Sequence, residues 1–232
     1  MRLSQALKRA AWLVVAAPLL TGPAVPQASA VDMALVIAID CSYSVDSFEH
    51  RLQMEGFGAA MQDPQVIEAV MSGPQQRIAI TVFQWSDADN QRVIIPWTVI
   101  DGATAAATLG KKLAQGRRDV PEGGTGISAA LIYGAAQFAI APQAQRYVID
   151  LSTDGRNNMG APTPMVRDRV LAQNITINAL AVTNEWPALA TYLERQVTGG
   201  PGNFVIAAGN YDDFGAAMLK KLVKEITGPG LT

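Results

Sequence analysis

The sequence has 232 residues, of which 49% are hydrophobic and 16% are charged, so it can bury a sizeable core and is neither disordered nor fibrous. The 18 Lys and Arg against 20 Asp and Glu give a formal net charge of −2. This excludes a non-specific nucleic-acid binder, because such proteins concentrate basic residues against phosphate. The single cysteine, Cys41, excludes an internal disulfide, and we expect its thiol to be buried as a small apolar group.

Residues 1–30 have the pattern of a secretory signal peptide. The segment has three basic residues near its start, an apolar run at 10–20 and the small-residue ending Ala28-Ser29-Ala30. The apolar run is about 11 residues, shorter than the roughly 18 of a membrane-spanning helix, so cleavage after Ala30 is favoured over an uncleaved membrane anchor. We therefore expect a periplasmic or secreted protein with no membrane span in the mature chain and a net charge of about −5.

From residue 31 onward, short apolar runs alternate with helical patterns, as in an α/β fold with a mostly parallel sheet. The run at 33–39 is almost continuously apolar, as in a central strand that is covered on both faces. The runs at 77–85 and 93–99 are joined by a polar turn, which predicts a hairpin with one antiparallel edge strand. Further strands are predicted at 146–151, 175–182 and 203–207, and helices at 47–61, 65–71, 104–114, 127–139, 164–173, 186–197 and 211–226.

The domain organisation follows from the spacing of these elements. The connections are short, and no Pro-, Gly- or Ser-rich linker or internal repeat divides the chain. We predict one domain over 31–228, followed by a short C-terminal tail at 229–232.

Polar side chains collect where the predicted strands end. Asp40 follows the first strand, and Ser42 and Ser44 lie two and four residues later, so one turn can aim all three side chains at one point. Thr125 follows two glycines and precedes a helix, and Asp154 directly follows another strand. Ligands of open α/β sheets bind beyond the carboxyl ends of the strands, so we expect these three loops to converge on one site.

The oxygen chemistry of these side chains indicates which ligand they would hold. Carboxylates and hydroxyls without a His or Cys cluster favour a hard cation. Mg²⁺ is the first choice, with Mn²⁺ or Ca²⁺ as alternatives. If the neutral hydroxyls bind the ion directly and the carboxylates act through water, the ion keeps much of its charge and accepts one more anionic ligand, such as a carboxylate from a partner protein.

Three segments carry a family resemblance: Asp40-Cys41-Ser42-Tyr43-Ser44, Gly123-Gly124-Thr125 and Thr153-Asp154-Gly155. In this order they resemble the metal-ion-dependent adhesion site (MIDAS) of von Willebrand factor type A (vWA) domains, and the match extends over essentially the whole mature chain. Within that superfamily the sequence is most similar to an exported bacterial group of unknown function.

The resemblance implies a Rossmann-like, three-layer α/β/α fold with the metal at the top of the sheet. It also implies that the terminal helix, 211–226, occupies the position of the helix that shifts with metal coordination in some vWA domains. The ligand roles that it carries over belong to Asp40, Ser42, Ser44, Thr125 and Asp154.

The favoured function is an exported, non-enzymatic module whose metal ion accepts an Asp or Glu from an unidentified partner protein. One alternative is a metal-dependent hydrolase or phosphotransferase that uses the same ion as a Lewis acid. The sequence has no Gly-x-Ser-x-Gly elbow, Walker loop or histidine cluster, which counts against this enzyme. The other alternative is a structural domain with a vestigial site, because each segment alone also fits an ordinary turn or helix cap.

Several other polar residues need a partner or a solvent-exposed position. Asp150 lies within an apolar strand, where it either supports the metal site or pairs with Arg146 or a neighbouring loop. Asn157 and Asn158 are predicted to be turn formers, with the alternative that they line the rim of the site. The basic groups Lys111-Lys112, Arg117-Arg118 and Lys220-Lys221-Lys224 are predicted to be solvated helix faces.

Overall fold

The computed structural model describes residues 30–228, which form a six-stranded sheet and seven α-helices. The strands are β1 (Val31–Asp40), β2 (Ile78–Trp85), β3 (Gln91–Ile100), β4 (Ala144–Thr153), β5 (Ile175–Val182) and β6 (Val205–Ala208). The helices are α1 (Ser47–Gln62), α2 (Pro64–Ser72), α3 (Ala103–Ala114), α4 (Ile127–Gln137), α5 (Thr163–Leu171), α6 (Leu189–Gln196) and α7 (Phe214–Thr227). The predicted signal peptide, apart from Ala30, and the predicted tail lie outside the described residues.

The sheet has the strand order β3-β2-β1-β4-β5-β6. All neighbouring strands are parallel except β2 and β3, which form the antiparallel hairpin that the sequence predicts. The predicted Rossmann-like α/β fold with one antiparallel edge strand is therefore confirmed. The chain winds outward from β1 to one edge and from β4 to the other, so the carboxyl ends of β1 and β4 lie side by side at the point where the winding reverses, which is where ligands of such sheets bind.

The helices cover both faces of the sheet. Helices α1, α2, α3 and α7 pack on the face that includes Leu35 and Ile37 of β1. Helices α4, α5 and α6 pack on the face that includes Val36 and Ala38. All ten residues of β1 are buried, which explains why its segment 33–39 is apolar without interruption. Within residues 30–228, the length and apolarity that a bilayer crossing requires do not occur together in any helix.

Two element boundaries differ from the sequence prediction in ways that affect the site. Strand β4 continues to Thr153, two residues further than predicted, so Ser152 and Thr153 belong to the sheet and Asp154 follows it directly. Helix α7 begins at Phe214 and not at Tyr211, because a turn closed by a hydrogen bond from Phe214 N to Tyr211 O (3.2 Å) precedes it. Tyr211 therefore lies in the loop between β6 and α7.

Candidate metal site

The carboxylate of Asp40 is fixed by the backbone and side chains around the end of β1. Its Oδ1 accepts a hydrogen bond from Ser42 N (2.7 Å), and its Oδ2 accepts one from Thr153 Oγ1 at the end of β4 (2.5 Å). Gln53 of α1 donates to the Asp40 carbonyl (3.2 Å). Asp40 is completely buried. Its side chain is therefore held in one orientation by the loop after β1 and by the end of β4, while Gln53 of α1 fixes its backbone.

Ser42 and Ser44 connect the β1–α1 loop to the end of β4. The two hydroxyl oxygens lie 3.3 Å apart, and Ser44 Oγ donates to Asp154 Oδ1 (2.7 Å). Ser42 and Asp154 are both buried. Two of the three predicted segments are thus in direct contact.

Thr125 brings in the third segment. Its backbone N donates to Asn158 Oδ1 (2.8 Å), and Asn158 N donates to Thr125 O (3.0 Å). The Thr125 hydroxyl lies 3.3 Å from the position that a Cβ on Gly155 would occupy, so it faces the segment just after Asp154. The structure thus brings the five predicted side chains together, while their ligation of a metal stays a prediction.

The two asparagines after Asp154 do more than form a turn. Asn158 links the Thr125 segment to the β4–α5 loop through the two hydrogen bonds given above. Asn157 Oδ1 accepts hydrogen bonds from the N and Oγ of Ser128, both at 3.1 Å. Their side chains therefore fix the relative positions of two loops of the site, a role that a turn preference does not reveal.

The charges in the site favour a bound cation. Burial and the negative charge of Asp154 raise the pKa of Asp40 to about 7, against hydrogen bonds from Ser42 and Thr153 that lower it. Within residues 30–228, no Lys or Arg forms an ion pair with Asp40 or Asp154. Two buried carboxylates that lack a basic partner are costly, and a divalent ion would neutralise them.

The donor set contains only oxygen atoms. No group of three or more His, Cys, Asp or Glu side chains suited to a metal occurs in the part of the chain that the structure describes. With two carboxylates, the candidate site would need the three hydroxyls and water to complete a coordination shell. This composition fits a hard ion such as Mg²⁺, which retains waters and uses few protein carboxylates.

Tyr211 is a member of the site that the sequence did not reveal. Its hydroxyl donates to Asp154 Oδ2 (3.0 Å), while Ser44 holds the other carboxylate oxygen. Burial and the nearby carboxylates, Asp154 first, raise the pKa of Tyr211, so the phenol keeps its proton and remains a donor. The sequence placed Tyr211 at the start of the terminal helix and gave no signal of a contact with a residue 57 positions earlier in the chain.

Cys41 and His50 lie near the site but are held in neutral forms. Cys41 is buried, as predicted, and burial together with the charge of Asp40 raises the pKa of its thiol. Burial and the charge of Arg118 lower the pKa of His50 to about 4. Gln84 Nε2 donates a hydrogen bond to Nε2 of the neutral His50 ring (3.0 Å).

A buried ionic cluster connects α7 with the sheet, and it corrects two predictions. Lys221 is fully buried, and its Nζ lies 2.7 Å from Asp150 Oδ1 and 2.6 Å from Glu225 Oε1. The prediction that Lys221 lies on a solvated face is therefore wrong, because α7 turns this residue toward the sheet. The prediction of Arg146 as a partner of Asp150 is also not met, since Arg146 donates to the carbonyl oxygens at the end of α7.

This cluster is separate from the candidate metal site. Asp150 lies four residues before Asp154 along β4, which corresponds to roughly 13 Å of extended strand. Its partners come from the middle and end of α7, whereas Tyr211 lies before the start of that helix. The cluster therefore attaches α7 to the sheet and adds no group to the metal site.

Comparisons with known proteins identify the family and the fold. The family described as "Protein of unknown function (DUF1194)" matches residues 30–230. No curated protein sequence matches the chain.

Three solved structures illustrate the fold. Proximal thread matrix protein 1 from the mussel byssus, with a zinc-occupied MIDAS motif, matches with a TM-score of 0.64 and 17% identity, over 85% of this chain and 48% of that chain. A von Willebrand factor type A protein from Catenulispora acidiphila gives a TM-score of 0.57 and 18% identity, over 84% and 43%. The pilus adhesin SpaC from Lactobacillus rhamnosus GG, in an open conformation, gives 0.56 and 13%, over 84% and 30%.

The likeness confirms the predicted vWA fold. The chain spans about half the length of the mussel protein, and less of the other two.

Proposed function

The chain belongs to the family of proteins of unknown function described as DUF1194 and has a vWA fold, and we propose that it is an exported binding module whose metal ion accepts a carboxylate from a partner protein. One observation carries this proposal. Three loops at the point where the sheet winding reverses bring two buried carboxylates and three hydroxyls together, and within residues 30–228 neither carboxylate forms an ion pair with a basic residue. The proposed metal ligands are Asp40, Ser42, Ser44, Thr125 and Asp154.

Some residues of the site would bind the ion, and others would orient the carboxylates that bind it. Asp40 is oriented by Ser42 N and Thr153, and Asp154 is oriented by Ser44 and Tyr211. The three hydroxyls are neutral ligands, so if they bind the ion directly and the two carboxylates act mainly through water, the ion would keep much of its positive charge. A bound divalent ion supplies a Lewis-acidic position that accepts an anionic oxygen.

We propose Mg²⁺ as the resident ion, with Mn²⁺ and Ca²⁺ as alternatives. The zinc named for the mussel protein makes Zn²⁺ a further ion to test. The enzymatic alternative would use the same ion. Burial raises the pKa of the nearby Cys41 thiol, so it keeps its proton and is a poor nucleophile. The pKa of the buried His50 is lowered to about 4, so its ring is a weak base.

Export and domain organisation are part of the proposal. Residues 1–30 would direct export to the periplasm or beyond, 31–228 would form the single vWA-like domain, and 229–232 would form a tail. The byssus matrix protein and the pilus adhesin with similar folds are consistent with a role outside the cytoplasm. The partner is a protein that presents an Asp or Glu, and nucleic acid is not expected to bind.

The first test is direct metal binding. The purified protein, stripped with EDTA, is titrated with Mn²⁺ by isothermal calorimetry, beside Asp40→Ala and the matched control Asp89→Ala. Asp89 is an exposed acidic residue of the turn between β2 and β3. We expect binding by wild type and control, and none by Asp40→Ala with an unchanged circular dichroism spectrum. Equal binding by all three proteins would contradict the proposed ligand set.

The second test concerns the partner. The three proteins are immobilised and exposed to an extract of periplasmic proteins with Mg²⁺ or with EDTA. We expect proteins that are retained by wild type and control in Mg²⁺, and that are lost in EDTA or on Asp40→Ala. An identical set of retained proteins under all conditions would show that binding does not require the metal ion.

The same samples test the enzymatic alternative. Mn²⁺-loaded protein is incubated with p-nitrophenyl phosphate, and the release of nitrophenol is followed. The binding module is expected to release no more product than Asp40→Ala does. Steady turnover that depends on Asp40 would favour a metal-dependent hydrolase instead.

A further inference from the structure

A large cavity lies between α7 and the sheet. Its volume is about 750 Å³, and pockets that hold small molecules have roughly 300–1,000 Å³. The walls come from the first residues of β4 and β5, from the loop before β6 and from α7. The candidate metal site lies beyond the last residues of β1 and β4, so the cavity is at the other end of the sheet. None of the five proposed metal ligands lines it. We call it the α7 cavity.

Helix α7 has two apolar faces, and one of them borders the α7 cavity. Met218 and Leu222 are buried in the core that α7 shares with α1. Leu219 and Val223 are only half-buried, and they line the cavity. They are four residues apart, so they lie on the same side of the helix. This wall of the cavity therefore exposes apolar surface that the described chain does not cover.

The wall on the side of the sheet is also apolar, and its backbone is closely packed. Val148 and Ile175 line it from β4 and β5. In the loop before β6, Gly200 has a φ of +94°, and a Cβ on it would lie 2.9 Å from Thr176 Cα. The loop therefore lies directly against β5, at a position where glycine alone fits without strain.

The one acidic residue among those that line the cavity is neutralised within the protein. Glu225 is buried, and its Oε1 lies 2.6 Å from Lys221 Nζ. Lys221 also contacts Asp150, and burial raises the pKa of Asp150 to about 8. Asp150 therefore holds a proton at pH 7, and the charge of Lys221 balances that of Glu225. This cluster gives the cavity no net charge.

Arg146 also lines the cavity, and its charge has partners within the protein. Its Nη1 and Nη2 donate to Glu225 O (2.9 Å) and Ile226 O (2.8 Å). The negative charges of Glu225 and Asp32 act on it as well. The guanidinium thus offsets the negative end of the α7 dipole, which would otherwise repel an anion at this place.

Two further basic residues at the cavity, Lys220 and Lys224, are not neutralised. Both are exposed, and they are four residues apart on the cavity side of α7. Within residues 30–228 neither forms an ion pair, although Lys220 also borders a groove beside β6 with Asp213. Lys224 Nζ lies 4.2 Å from the centre of the Phe204 ring, which lines the cavity too. Two free ammonium groups therefore stand beside an apolar space and attract an anion.

We infer that the α7 cavity binds a small amphiphile that has an alkyl body and one anionic head group. The alkyl body would lie between Leu219 and Val223 of α7 and the first residues of β4 and β5. The head group would lie at Lys220 and Lys224. Such sites combine a mainly apolar wall with a few polar groups that fix the orientation of the ligand. The inference is independent of the proposed function, because no metal ligand takes part in it.

The experiment titrates decanoate into the purified protein by isothermal calorimetry at pH 7.5 in EDTA. EDTA removes divalent ions, so the carboxylate cannot bind through the candidate metal site. Decyltrimethylammonium, which has an alkyl chain of the same length and the opposite charge, is the control ligand. We expect saturable binding of one decanoate per chain, an unchanged circular dichroism spectrum, and binding of the cation that is weaker by about tenfold or more.

Three variants locate the site. Lys220→Gln/Lys224→Gln should weaken decanoate binding by about tenfold, because it removes two charge-assisted contacts. Lys111→Gln/Lys112→Gln removes two exposed lysines of α3, which do not line the cavity, and should bind like wild type. Leu219→Trp puts a larger side chain on the cavity wall and should abolish binding. The lysine pairs are exposed, so they decide the outcome even if Leu219→Trp does not fold.

Several results would overturn the inference. They are the absence of saturable decanoate binding, equal or tighter binding of the cation, an equal affinity of both lysine variants for decanoate, and full binding by a folded Leu219→Trp protein. Residues 229–232 follow Gly228, which lines the cavity. Decanoate binding that requires removal of these residues would assign the cavity to the tail of the chain and not to an amphiphile.

Discussion

The carboxylate of Asp154 is held by two hydroxyls that come from opposite ends of the described chain. Ser44 contacts one carboxylate oxygen from the loop after β1, and Tyr211 contacts the other from the loop before α7. Neither hydroxyl carries a charge, so the pair orients Asp154 without neutralising it. This arrangement keeps the full charge of Asp154 available to a cation.

Replacing Tyr211 with Phe should weaken metal binding. The change removes the hydrogen bond to Asp154 Oδ2, and the loss of a group that orients a metal-binding carboxylate typically costs about tenfold or more in metal affinity. The Mn²⁺ dissociation constant, measured by calorimetry, should therefore rise by about tenfold.

Tyr133→Phe is the matched control for this change. The Tyr133 ring packs against Phe83 on the face of the sheet that α4, α5 and α6 cover, whereas Tyr211 packs on the other face. The Mn²⁺ affinity of this variant should therefore equal that of wild type. If Tyr211→Phe also binds Mn²⁺ like wild type, the phenol hydroxyl does not orient Asp154 for the ion.

Individual residues show where the sequence was informative and where it was not. Asp40 and Asp154 were identifiable because an acidic residue at the carboxyl end of an apolar run is a local signal. Tyr211 and Lys221 were not, because their roles depend on contacts with residues far away in the chain. Lys221 looked solvated beside Lys220 and Lys224, and only the orientation of α7 against the sheet distinguishes it from them.

At the scale of the elements, α7 is attached to the sheet by a charged cluster as well as by apolar packing. Lys221 contacts both Asp150 of β4 and Glu225 of its own helix. Asn178 of β5 donates to Glu225 Oε1 (3.1 Å) and accepts from Phe204 N (2.9 Å). Such a buried cluster has fixed geometry requirements, so it defines one position of α7 along the sheet.

The cluster predicts how stability depends on pH. Burial, and then the negative charge of Glu225, raise the pKa of Asp150 to about 8 from its ordinary value of 3.8, although Lys221 lowers it. Between these two pH values the folded chain holds a proton that the unfolded chain releases. Stability from this group is therefore complete below about pH 4 and is lost as the pH rises toward 8.

Asp150→Asn should remove this contribution, because the amide resembles the protonated acid and does not titrate. Urea unfolding is measured in EDTA at pH 5.5, 7 and 8.5 for both proteins. The free energy of unfolding of wild type should fall more steeply over this range than that of the variant. Asp40 is present in both proteins, so its own titration cancels in the comparison. Equal slopes would show that Asp150 is ionised in the fold and is neutralised by Lys221.

The elements themselves were largely predictable. Alternation of apolar runs with helical patterns gave every strand and α-helix, and the polar turn between β2 and β3 gave the antiparallel pair. The ends were less certain, as β4 and α7 show, because a strand end or a helix start depends on hydrogen bonds with other elements. Those end positions decide which residues reach the site.

At the scale of the whole molecule, the site lies where the winding of the sheet reverses. The carboxyl ends of β1 and β4 are adjacent there, and Ile39 pairs with Ser152 one residue before the site begins. Asp40 and Asp154 are therefore brought together by the topology of the sheet and buried by the loops that surround them. The fold places two negative charges close together in a poorly solvated region, which lowers the stability of the metal-free protein.

This cost predicts opposite effects of Asp40→Asn without and with metal. At pH 8, above the Asp40 pKa of about 7, the variant removes one of two repelling buried charges. In EDTA the variant should therefore unfold at a higher urea concentration than wild type. In Mn²⁺ at 100 times its dissociation constant, wild type should gain about 2.7 kcal/mol and the variant none, so the order reverses.

Asp89→Asn serves as the control, since this exposed side chain lies in the turn between β2 and β3 and should leave wild-type behaviour unchanged in both conditions. A variant less stable than wild type in EDTA would mean that the hydrogen bonds from Ser42 and Thr153 to the carboxylate outweigh its repulsion by Asp154. Equal stabilisation of Asp40→Asn by Mn²⁺ would remove Asp40 from the ligand set. If Asp40→Asn is more stable than wild type in EDTA and less stable in Mn²⁺, the Asp40 charge destabilises the metal-free protein and stabilises the metal-bound one.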